Sequence, residues 1–388
     1  MTTATAIVPT YNRARFIEPC LNAILAQSRP ASQILVIDDG SADDTAQVVT
    51  GFGSRVTLVT TENRGKSAAL NLALSHAKGE YIWIIDDDDL VRPEALSALA
   101  GTLDRDAKVD MAYGRHDRFR IDEKTGTKTS LGSGYWTRCP SERFLTSTME
   151  DFFAHQPGML VRKSLYDAVG GFDETLTRSV DYEMLIRLAR AGRAEEVPQI
   201  VFDQRIHDGD RGPVACRIDA RQRDVNWVEN DKRIFERVYR HYPLDAYLPN
   251  GASASAPLSK RQALLQRATI MARKKLWTKA TADWAMAAQF PGALTDEEIA
   301  IIRRATGSKY GCTELTDQHW LIGFLRDLGA TSQTGLEISR AFARGLLWPI
   351  RNAAENGDFN LALARAVFWF QTPKFQRPGR NRQAQTRT

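Results

Sequence analysis

Four consecutive aspartates, Asp86 to Asp89, directly follow a mostly apolar run at residues 81–85. Most runs of like charge are solvated surface segments. This one ends a stretch typical of a buried strand, where clustered carboxylates are destabilising without a counter-ion. Mg²⁺ and Mn²⁺ prefer oxygen ligands and often complete their coordination with substrate phosphates. The sequence therefore predicts a site for a divalent cation and a phosphate group at this point.

The residues before this cluster alternate between strand-like and helix-like patterns. Apolar runs typical of strands lie at residues 4–10, 33–41, 56–62 and 81–85. Helical spacing of apolar residues lies at 15–27, 43–52 and 66–77. This alternation predicts an α/β fold with a doubly wound, mainly parallel sheet and helices on both faces.

Polar residues follow three of the four predicted strands. The first strand ends in Thr10, Tyr11 and Asn12, the second in Asp38 and Asp39, and the fourth in the aspartate run. Ligands of doubly wound sheets bind beyond the carboxyl ends of the strands. We therefore expect the three polar clusters to converge on one edge of the sheet.

The rest of the chain changes character twice. Residues 110–215 are less regular, with a helical pattern at 181–192, and a long amphipathic helix is predicted at 217–242. A Gly/Ala/Ser/Pro-rich stretch at 248–260 is typical of a linker, and helix-forming residues dominate beyond it. We predict a catalytic domain at 1–215, a connecting segment at 216–258 and a helical domain with a basic tail at 259–388. Residues 275–287 and 357–369 share a small/aromatic spacing that faintly suggests helical-hairpin repeats.

Composition narrows the class of protein. The chain has 388 residues, 43% hydrophobic and 26% charged, which argues against wholesale disorder. Its net charge is +5, and residues 359–388 contain six Lys/Arg and no Asp or Glu, so this tail should be attracted to anionic surfaces. The four scattered cysteines predict reduced thiols of a cytosolic protein. No signal peptide or membrane-spanning run is predicted.

Six stretches, in chain order, resemble the motifs of family-two glycosyltransferases, which are inverting enzymes with the GT-A fold. The resemblance covers about residues 4–210. The stretches are "IVPTYNRARFIEPCLNAILAQ", "ILVIDDGSADDT", "ENRGKSAALNLAL", "KGEYIWIIDDDDLVRPEAL", "GMLVRKSLYDAVGGFDETL" and "DYEMLIRL".

This resemblance implies a set of donor-binding residues. Asp39 would hydrogen-bond the nucleotide base, typically uracil N3–H. Asp86 and Asp88 match the Asp-X-Asp element, so that Asp86 would lie near the ribose and Asp88 would bind the Mn²⁺ or Mg²⁺ that carries the diphosphate. Asp87 occupies the variable middle position. The resemblance places further nucleotide contacts at Pro9, Thr10, Tyr11, Asn12, Asn63, Gly65 and Lys66.

Asp181 is the candidate catalytic base. It stands at the start of a predicted helix and matches the acid that precedes the aromatic residue in the family's "ED-Y" element. An acid there can also serve only to cap the helix N-terminus. Val180 departs from the family pattern, which often has a second acid at this position. Glu183 could substitute for Asp181 only if the register differs.

The sequence leaves two alternative roles open for each of three further sites. His207 lies where many members of the family have a histidine that ligates the metal or contacts the diphosphate, and a lone histidine is otherwise an ordinary structural residue. Arg205 and Arg211 flank it and could pair with the diphosphate, although ordinary surface arginines are favoured. Trp136 could stack on an acceptor sugar or pack in the core.

The C-terminal third contains Trp and Phe residues among basic helices. Two stretches, 339–354 and 363–382, combine apolar faces with Lys or Arg, which suits a helix lying in the membrane interface. A soluble helical domain with a disordered basic tail explains the same composition equally well.

The sequence as a whole predicts an inverting, metal-dependent glycosyltransferase that uses a nucleotide-diphosphate sugar, with a UDP-sugar preferred. Its acceptor would be a glycan or lipid-linked hydroxyl in surface polysaccharide or glycolipid synthesis. We expect a cytoplasmic protein, peripheral at the inner face of the membrane, with no nucleic-acid partner. The donor sugar, the linkage and the oligomeric state are not predicted.

Two rival functions predict different sequence features. A sugar-1-phosphate nucleotidyltransferase should have a Gly-rich phosphate loop after the first strand, and "PTYNRAR" has no glycine. A catalytically silent scaffold or membrane adaptor would be signalled by loss of the Asp-X-Asp pair, and both carboxylates are present.

Overall fold

A computed structural model of the chain describes residues 2–122, 124–206, 223–308 and 312–372. The chain divides into two units, Met1–Thr148 with Phe152–Asn230, and Met149–Asp151 with Asp231–Thr388.

The first unit is built on one sheet, which has nine strands in the described residues. The strand order is β3-β2-β1-β4-β8-β6-β9-β5, and β7 pairs with β6. The strands are β1 Ala4–Thr10, β2 Gln33–Asp38, β3 Thr57–Thr60, β4 Tyr81–Ile84, β5 Leu90–Val91, β6 Met111–Ile121, β7 Lys128–Ser133, β8 Met159–Arg162 and β9 Ala194–Arg205.

The doubly wound α/β fold predicted from the sequence is confirmed. Strands β3, β2, β1 and β4 are mutually parallel. The other half of the sheet is mixed, because β8 runs antiparallel to both β4 and β6 whereas β9 runs parallel to β6. The associated helices are α1 Ala14–Leu25, α2 Thr45–Thr50, α3 Lys66–His76, α4 Ala95–Arg105, α5 Phe144–Glu150, α6 Lys163–Val169 and α7 Val180–Ala191.

Burial explains why the central strands have this composition. Every residue of β1 and β4 is buried, and β2 is buried from Ile34 to Asp38. A strand covered on both faces needs apolar residues at consecutive positions, not the alternation of a half-exposed strand. Polar residues are therefore concentrated at the strand ends.

The second unit is helical. Its described helices, the first of which begins in the first unit, are α8 Arg223–His241, α9 Pro257–Arg273, α10 Trp277–Ala287, α11 Asp296–Arg303, α12 His319–Thr331, α13 Gln333–Gly345, α14 Leu347–Glu355 and α15 Phe359–Gln371. The two stretches with similar small/aromatic spacing correspond to α10 and α15, each of which follows another helix after a short turn. None of the helices in the described part of the chain combines the length and the apolarity needed to cross a bilayer.

A buried ion pair joins two helices of this unit. The Arg261 guanidinium contacts the Glu298 carboxylate at 2.7 Å. It also donates to the carbonyls of Gly292 and Ala293, each at 3.1 Å. A buried charge is tolerated only when it is paired and its remaining hydrogen bonds are satisfied. This arginine therefore fixes the turn before α11 as well as α11 itself.

Gly79 is predicted to be essential for the packing of the first strand. A Cβ atom at this position would lie 2.5 Å from Thr5 N and 2.7 Å from Ala4 C, both backbone atoms of β1. We expect Gly79→Ala to lower the free energy of unfolding by about 1–3 kcal/mol through overpacking, measured by denaturant titration.

Gly101 provides the matched control. It lies inside α4, and a Cβ atom there would meet no other atom within 4 Å. Gly101→Ala should leave stability unchanged or raise it by up to about 1 kcal/mol. Equal effects of the two substitutions would contradict the proposed clash at Gly79.

Candidate active site

The carboxyl ends of β1, β2 and β4 lie at one edge of the sheet, because β1 is parallel to both neighbours. Backbone hydrogen bonds continue beyond the last paired residues of β1–β2 and β1–β4. Asp39 N donates to Thr10 O at 2.9 Å, and Ile85 N donates to Ile7 O at 2.9 Å. The polar residues that follow these strands therefore begin side by side.

The turn after β1 is held by Asn12. Its backbone is left-handed, with φ of 52°, a conformation that asparagine tolerates better than most residues. Asn12 N donates to Ser41 Oγ at 2.8 Å, and Asn12 Oδ1 accepts from Ala42 N at 2.8 Å. The side chain thus fixes the loop after β2. Pro9 and Thr10 are buried, whereas Tyr11 is partly and Asn12 fully exposed.

Asp39 organises the loop before α3. Its two carboxylate oxygens accept hydrogen bonds from Arg64 N at 2.9 Å and Gly65 N at 2.8 Å. Burial raises the pKa of Asp39 above its ordinary value, although both hydrogen bonds favour the carboxylate. Each oxygen retains a second lone pair. The predicted hydrogen bond to a nucleotide base is compatible with this arrangement.

The turn at Gly40 requires glycine on two counts. Its φ is +78°, and a Cβ atom would lie 2.9 Å from Asn63 N and 3.1 Å from Thr61 O. The loop before α3 can approach the end of β2 only because this side chain is absent. Asn63 itself is exposed.

Lys66 connects the first aspartate of the run to α3. Its Nζ atom lies 2.6 Å from Asp86 Oδ1. Burial alone would lower the pKa of Lys66, but the carboxylates of Asp86 and Asp181 outweigh it and raise the pKa above its ordinary value. Lys66 therefore stays protonated and interacts electrostatically with both Asp86 and Asp181.

The other three aspartates are buried, so a solvated charge run is excluded. Asp87, Asp88 and Asp89 are 8%, 9% and 3% exposed. Asp87 Oδ1 lies 3.7 Å from Arg13 Nε. Burial and the Asp88 carboxylate raise the pKa of Asp87 to about 7, against the opposing effect of Arg13. A carboxyl group that is buried beside a second carboxylate has its charged form disfavoured in this way.

Arg205, at the end of β9, forms hydrogen bonds with two residues of the aspartate run. Its Nε donates to Asp88 O at 2.9 Å, and its backbone N donates to Asp89 Oδ1 at 2.8 Å. The guanidinium lies 4.8 Å from the Phe119 ring centroid and 5.2 Å from that of Phe16. The interpretation of Arg205 as an ordinary surface arginine is wrong, because only 6% of the residue is exposed. Arg211 lies outside the described residues.

Asp181 lies in the first turn of α7, close enough to the aspartate run to interact with it. Burial raises its pKa, the Lys66 ammonium lowers it and Asp86 raises it further. The helix N-cap position is Ser179, with φ of 55°, so Asp181 is not the N-cap residue. Its Oδ1 accepts a hydrogen bond from Tyr182 N at 3.0 Å.

Glu183 has a different partner. Its carboxylate pairs with Arg187 at 2.8 Å. Arg187 also donates to the carbonyls of Val169 at 2.9 Å and Gly171 at 2.8 Å. Glu183 therefore helps to hold the glycine turn before α7, and Val180, which is buried, supplies no second acid.

Trp136 packs within the first unit. Its ring lies 5.7 Å from that of Tyr113 and 5.5 Å from that of Phe153. Its indole N–H donates to Glu196 Oε1 at 3.2 Å. These contacts account for the residue as packing, and its role in stacking on an acceptor stays a prediction.

The donor atoms near Asp88 fit a hard divalent cation. Among the described residues no group of three or more His, Cys, Asp or Glu side chains is arranged to hold a metal, and His207 lies outside those residues. Mg²⁺ and Mn²⁺ need only one or two carboxylates when substrate phosphates complete the shell. Burial and the neighbouring Asp88 carboxylate both disfavour the charged form of Asp87, and a bound cation would offset this negative charge.

The sequence did not predict the roles of two basic residues of the site. Arg13 was assigned no role, and Arg205 was interpreted as a surface residue. Arg13 and Arg205 neutralise the buried aspartates, and neither lies near them in sequence. Arg13 follows the "PTYN" turn directly, so its position was the available signal. For Arg205, 117 residues from the carbonyl it contacts, the sequence offers no comparable signal.

Comparison with known proteins finds a family that matches part of the first unit. Residues 5–170 match the family model described as Glycosyl transferase family 2. The chain is 26% identical over 235 residues to the chondroitin synthase of Pasteurella multocida (strain Pm70), covering 60% of this chain and 23% of that protein. It is 27% identical over 204 residues to the hyaluronan synthase of Pasteurella multocida, covering 52% of this chain and 20% of that protein. The chain thus spans only a minor part of these relatives' lengths.

A solved structure has the same fold. S. aureus TarS 1-349, in complex with UDP-GlcNAc, matches with a TM-score of 0.51 and 16% identity, covering 94% of this chain and 91% of that chain. This likeness shows the GT-A fold that the sequence analysis expected. The match over residues 5–170 agrees with the resemblance to family-two glycosyltransferases that the sequence motifs indicate.

Proposed function

We propose that the chain is an inverting glycosyltransferase. It transfers a sugar from a nucleotide-diphosphate sugar, with a UDP-sugar preferred, to a hydroxyl of a glycan or lipid-linked acceptor. One observation carries the proposal: the Lys66 ammonium contacts Asp86 of the aspartate run that would receive the donor, and it also interacts electrostatically with Asp181, the candidate base. The similarity to a chondroitin synthase and a hyaluronan synthase supports a glycan as acceptor.

The donor would bind at the carboxyl edge of the sheet, where the aspartate run concentrates negative charge. Asp88 would hold the Mn²⁺ or Mg²⁺, with His207 as a second candidate ligand. When bound, the cation offsets negative charge on the departing diphosphate. Lys66 already contacts Asp86, so its ammonium is held where a diphosphate oxygen could also accept from it. Asp39 would select the base through a hydrogen bond.

The acceptor half needs a proton acceptor on the opposite face of the sugar. Asp181 takes the proton from the attacking hydroxyl as that oxygen bonds to C1 and the bond to the diphosphate breaks. The Lys66 cation favours the ionised form of Asp181 and so opposes the larger effect of burial, which raises the pKa. Attack opposite the leaving group inverts the anomeric carbon.

The rival functions make different demands on the same residues. A silent scaffold needs neither nucleotide binding nor turnover, and a nucleotidyltransferase would bind a nucleoside triphosphate. The cytoplasmic location at the inner face of a membrane stays a prediction, as do surface polysaccharide or glycolipid synthesis and the absence of a nucleic-acid partner.

Nucleotide binding should be selective and metal-dependent. We expect one of UDP, GDP, dTDP or CDP, with UDP first, to stabilise the protein only when Mn²⁺ is present. At a ligand concentration of about a hundred times Kd, the gain is about 2.7 kcal/mol, which thermal unfolding detects. Asp88→Asn should abolish the Mn²⁺-dependent part.

Asp44→Asn is the control for that experiment. Asp44 is exposed and makes no capping hydrogen bond, so its loss should leave the nucleotide shift intact. Absence of a shift with every nucleotide in well-folded protein would favour the silent scaffold.

Asp181→Asn should abolish turnover while leaving nucleotide binding nearly intact. General-base catalysis contributes about 10²–10⁴-fold, so release of nucleoside diphosphate should fall by at least that factor. In the wild-type protein, protonation of the base should reduce kcat/KM as the pH falls. Because burial raises the Asp181 pKa, this loss should begin above the usual carboxyl range of about 4.

Glu183→Gln separates the two candidate bases. Its carboxylate supports the glycine turn through Arg187, so we expect reduced thermal stability with turnover largely kept. Wild-type turnover in Asp181→Asn, or its loss in Glu183→Gln alone, would remove Asp181 as the base.

A further inference from the structure

Helix α15 presents apolar side chains to solvent. Phe359, Leu363 and Val367 are 71%, 66% and 48% exposed and follow one another at intervals of four residues, which places them on one face of the helix. Asn360 and Gln371 are the exposed polar residues of α15, and none of its exposed side chains is charged. We call Phe359, Leu363 and Val367 the α15 stripe.

The charged residue of this helix points the other way. Arg365 is 6% exposed, and its guanidinium donates to Pro349 O of α14 at 2.9 Å. A helix of a water-soluble unit normally buries its apolar stripe and exposes its charges. In α15 the arrangement is reversed, although the opposite face also buries Ala362 and Phe368. The α15 stripe therefore remains exposed to solvent in the packed helical unit.

The first turn of α14 extends the exposed apolar surface. The bond from Arg365 to Pro349 sets the register of the two helices, so Leu347 and Trp348 lie toward the C-terminal end of α15. They are exposed. The rest of the stretch 339–354, which the sequence analysis interpreted as a candidate interface helix, is largely core, because residues such as Phe342 are buried. Leu347 and Trp348 are the large apolar residues of this stretch that remain exposed to solvent.

The chain that follows α15 carries charge of one sign. Residues 373–388 lie outside the described residues, and their sequence contains five Lys/Arg and no Asp or Glu: Lys374, Arg377, Arg380, Arg382 and Arg387. A basic segment next to an uncharged apolar face is complementary to an anionic lipid surface, which attracts each nearby cation. A hydrophobic protein partner would not account for the charge.

The stripe is too small for a stable dimer. Even when Phe370, which is 72% exposed, is counted, the apolar face of α15 is about 17 Å long, at about 1.5 Å per residue, and about one helix diameter wide. A standard interface needs about 800 Å² from each partner. A helix that lies in the membrane interface needs only a shallow apolar face and electrostatic attraction.

We propose that the α15 stripe binds the surface of an anionic lipid bilayer, to which the basic residues of the C-terminal sequence add electrostatic attraction. The apolar side chains of the stripe enter the boundary between headgroups and acyl chains. This binding does not depend on the proposed sugar transfer.

Sedimentation of the full chain with lipid vesicles tests the proposal. We expect binding to phosphatidylcholine vesicles that contain about one third phosphatidylglycerol, much weaker binding to phosphatidylcholine alone, and release at about 0.5 M NaCl. Leu363→Glu should weaken binding to the anionic vesicles at least about tenfold. Leu363→Gln should also weaken it, which separates loss of the apolar contact from charge repulsion.

Leu258→Glu is the matched control, because Leu258 is a 60% exposed leucine on α9, away from the stripe. It should bind like the wild-type protein, and equal melting temperatures would confirm that each variant is folded. The proposal is overturned if the wild-type protein does not bind, or if the Leu363 and Leu258 variants behave alike. Self-association without lipid that Leu363→Glu abolishes would overturn it in favour of a second copy.

Discussion

The site depends on how four adjacent carboxylates are accommodated at the buried end of β4. Two like charges about 4 Å apart repel by about 4 kcal/mol at an effective dielectric constant of about 20. The chain offsets this with cations from three different elements: Lys66 of α3, Arg13 after β1 and Arg205 of β9. Charge balance and fold are therefore linked, because the cations reach the cluster only when these elements have docked on the sheet.

The sequence was sufficient for the elements whose signals are local. Strands β1 to β4 and the helices between them follow from continuous apolar runs, helical spacing and turn residues, and the aspartate run indicates their shared edge. The partners of that run were not predictable in the same way. Arg205 contacts a carbonyl 117 residues away, and only the antiparallel insertion of β8 between β4 and β6 brings β9 to that position.

The same limit applies to the aromatic residues of the helical unit. Phe342 and Trp348 belong to one amphipathic stretch, yet the first is fully buried and the second is largely exposed. Composition states how much apolar surface a helix carries, whereas neighbouring helices decide which part is covered. Arg365 illustrates this, since a charge that periodicity would assign to solvent instead satisfies the Pro349 carbonyl on α14.

Gly40 has a consequence for how substitutions in this chain should be interpreted. It is partly accessible to solvent, but any side chain there would collide with the backbone at Asn63 and would strain a left-handed φ. In a library of variants selected only for folding, position 40 should tolerate as few substitutions as a buried core position does. Intolerance at Gly40 would then report the closeness of two loops rather than chemistry, even though the residue lies between Asp39 and Ser41 in a family motif.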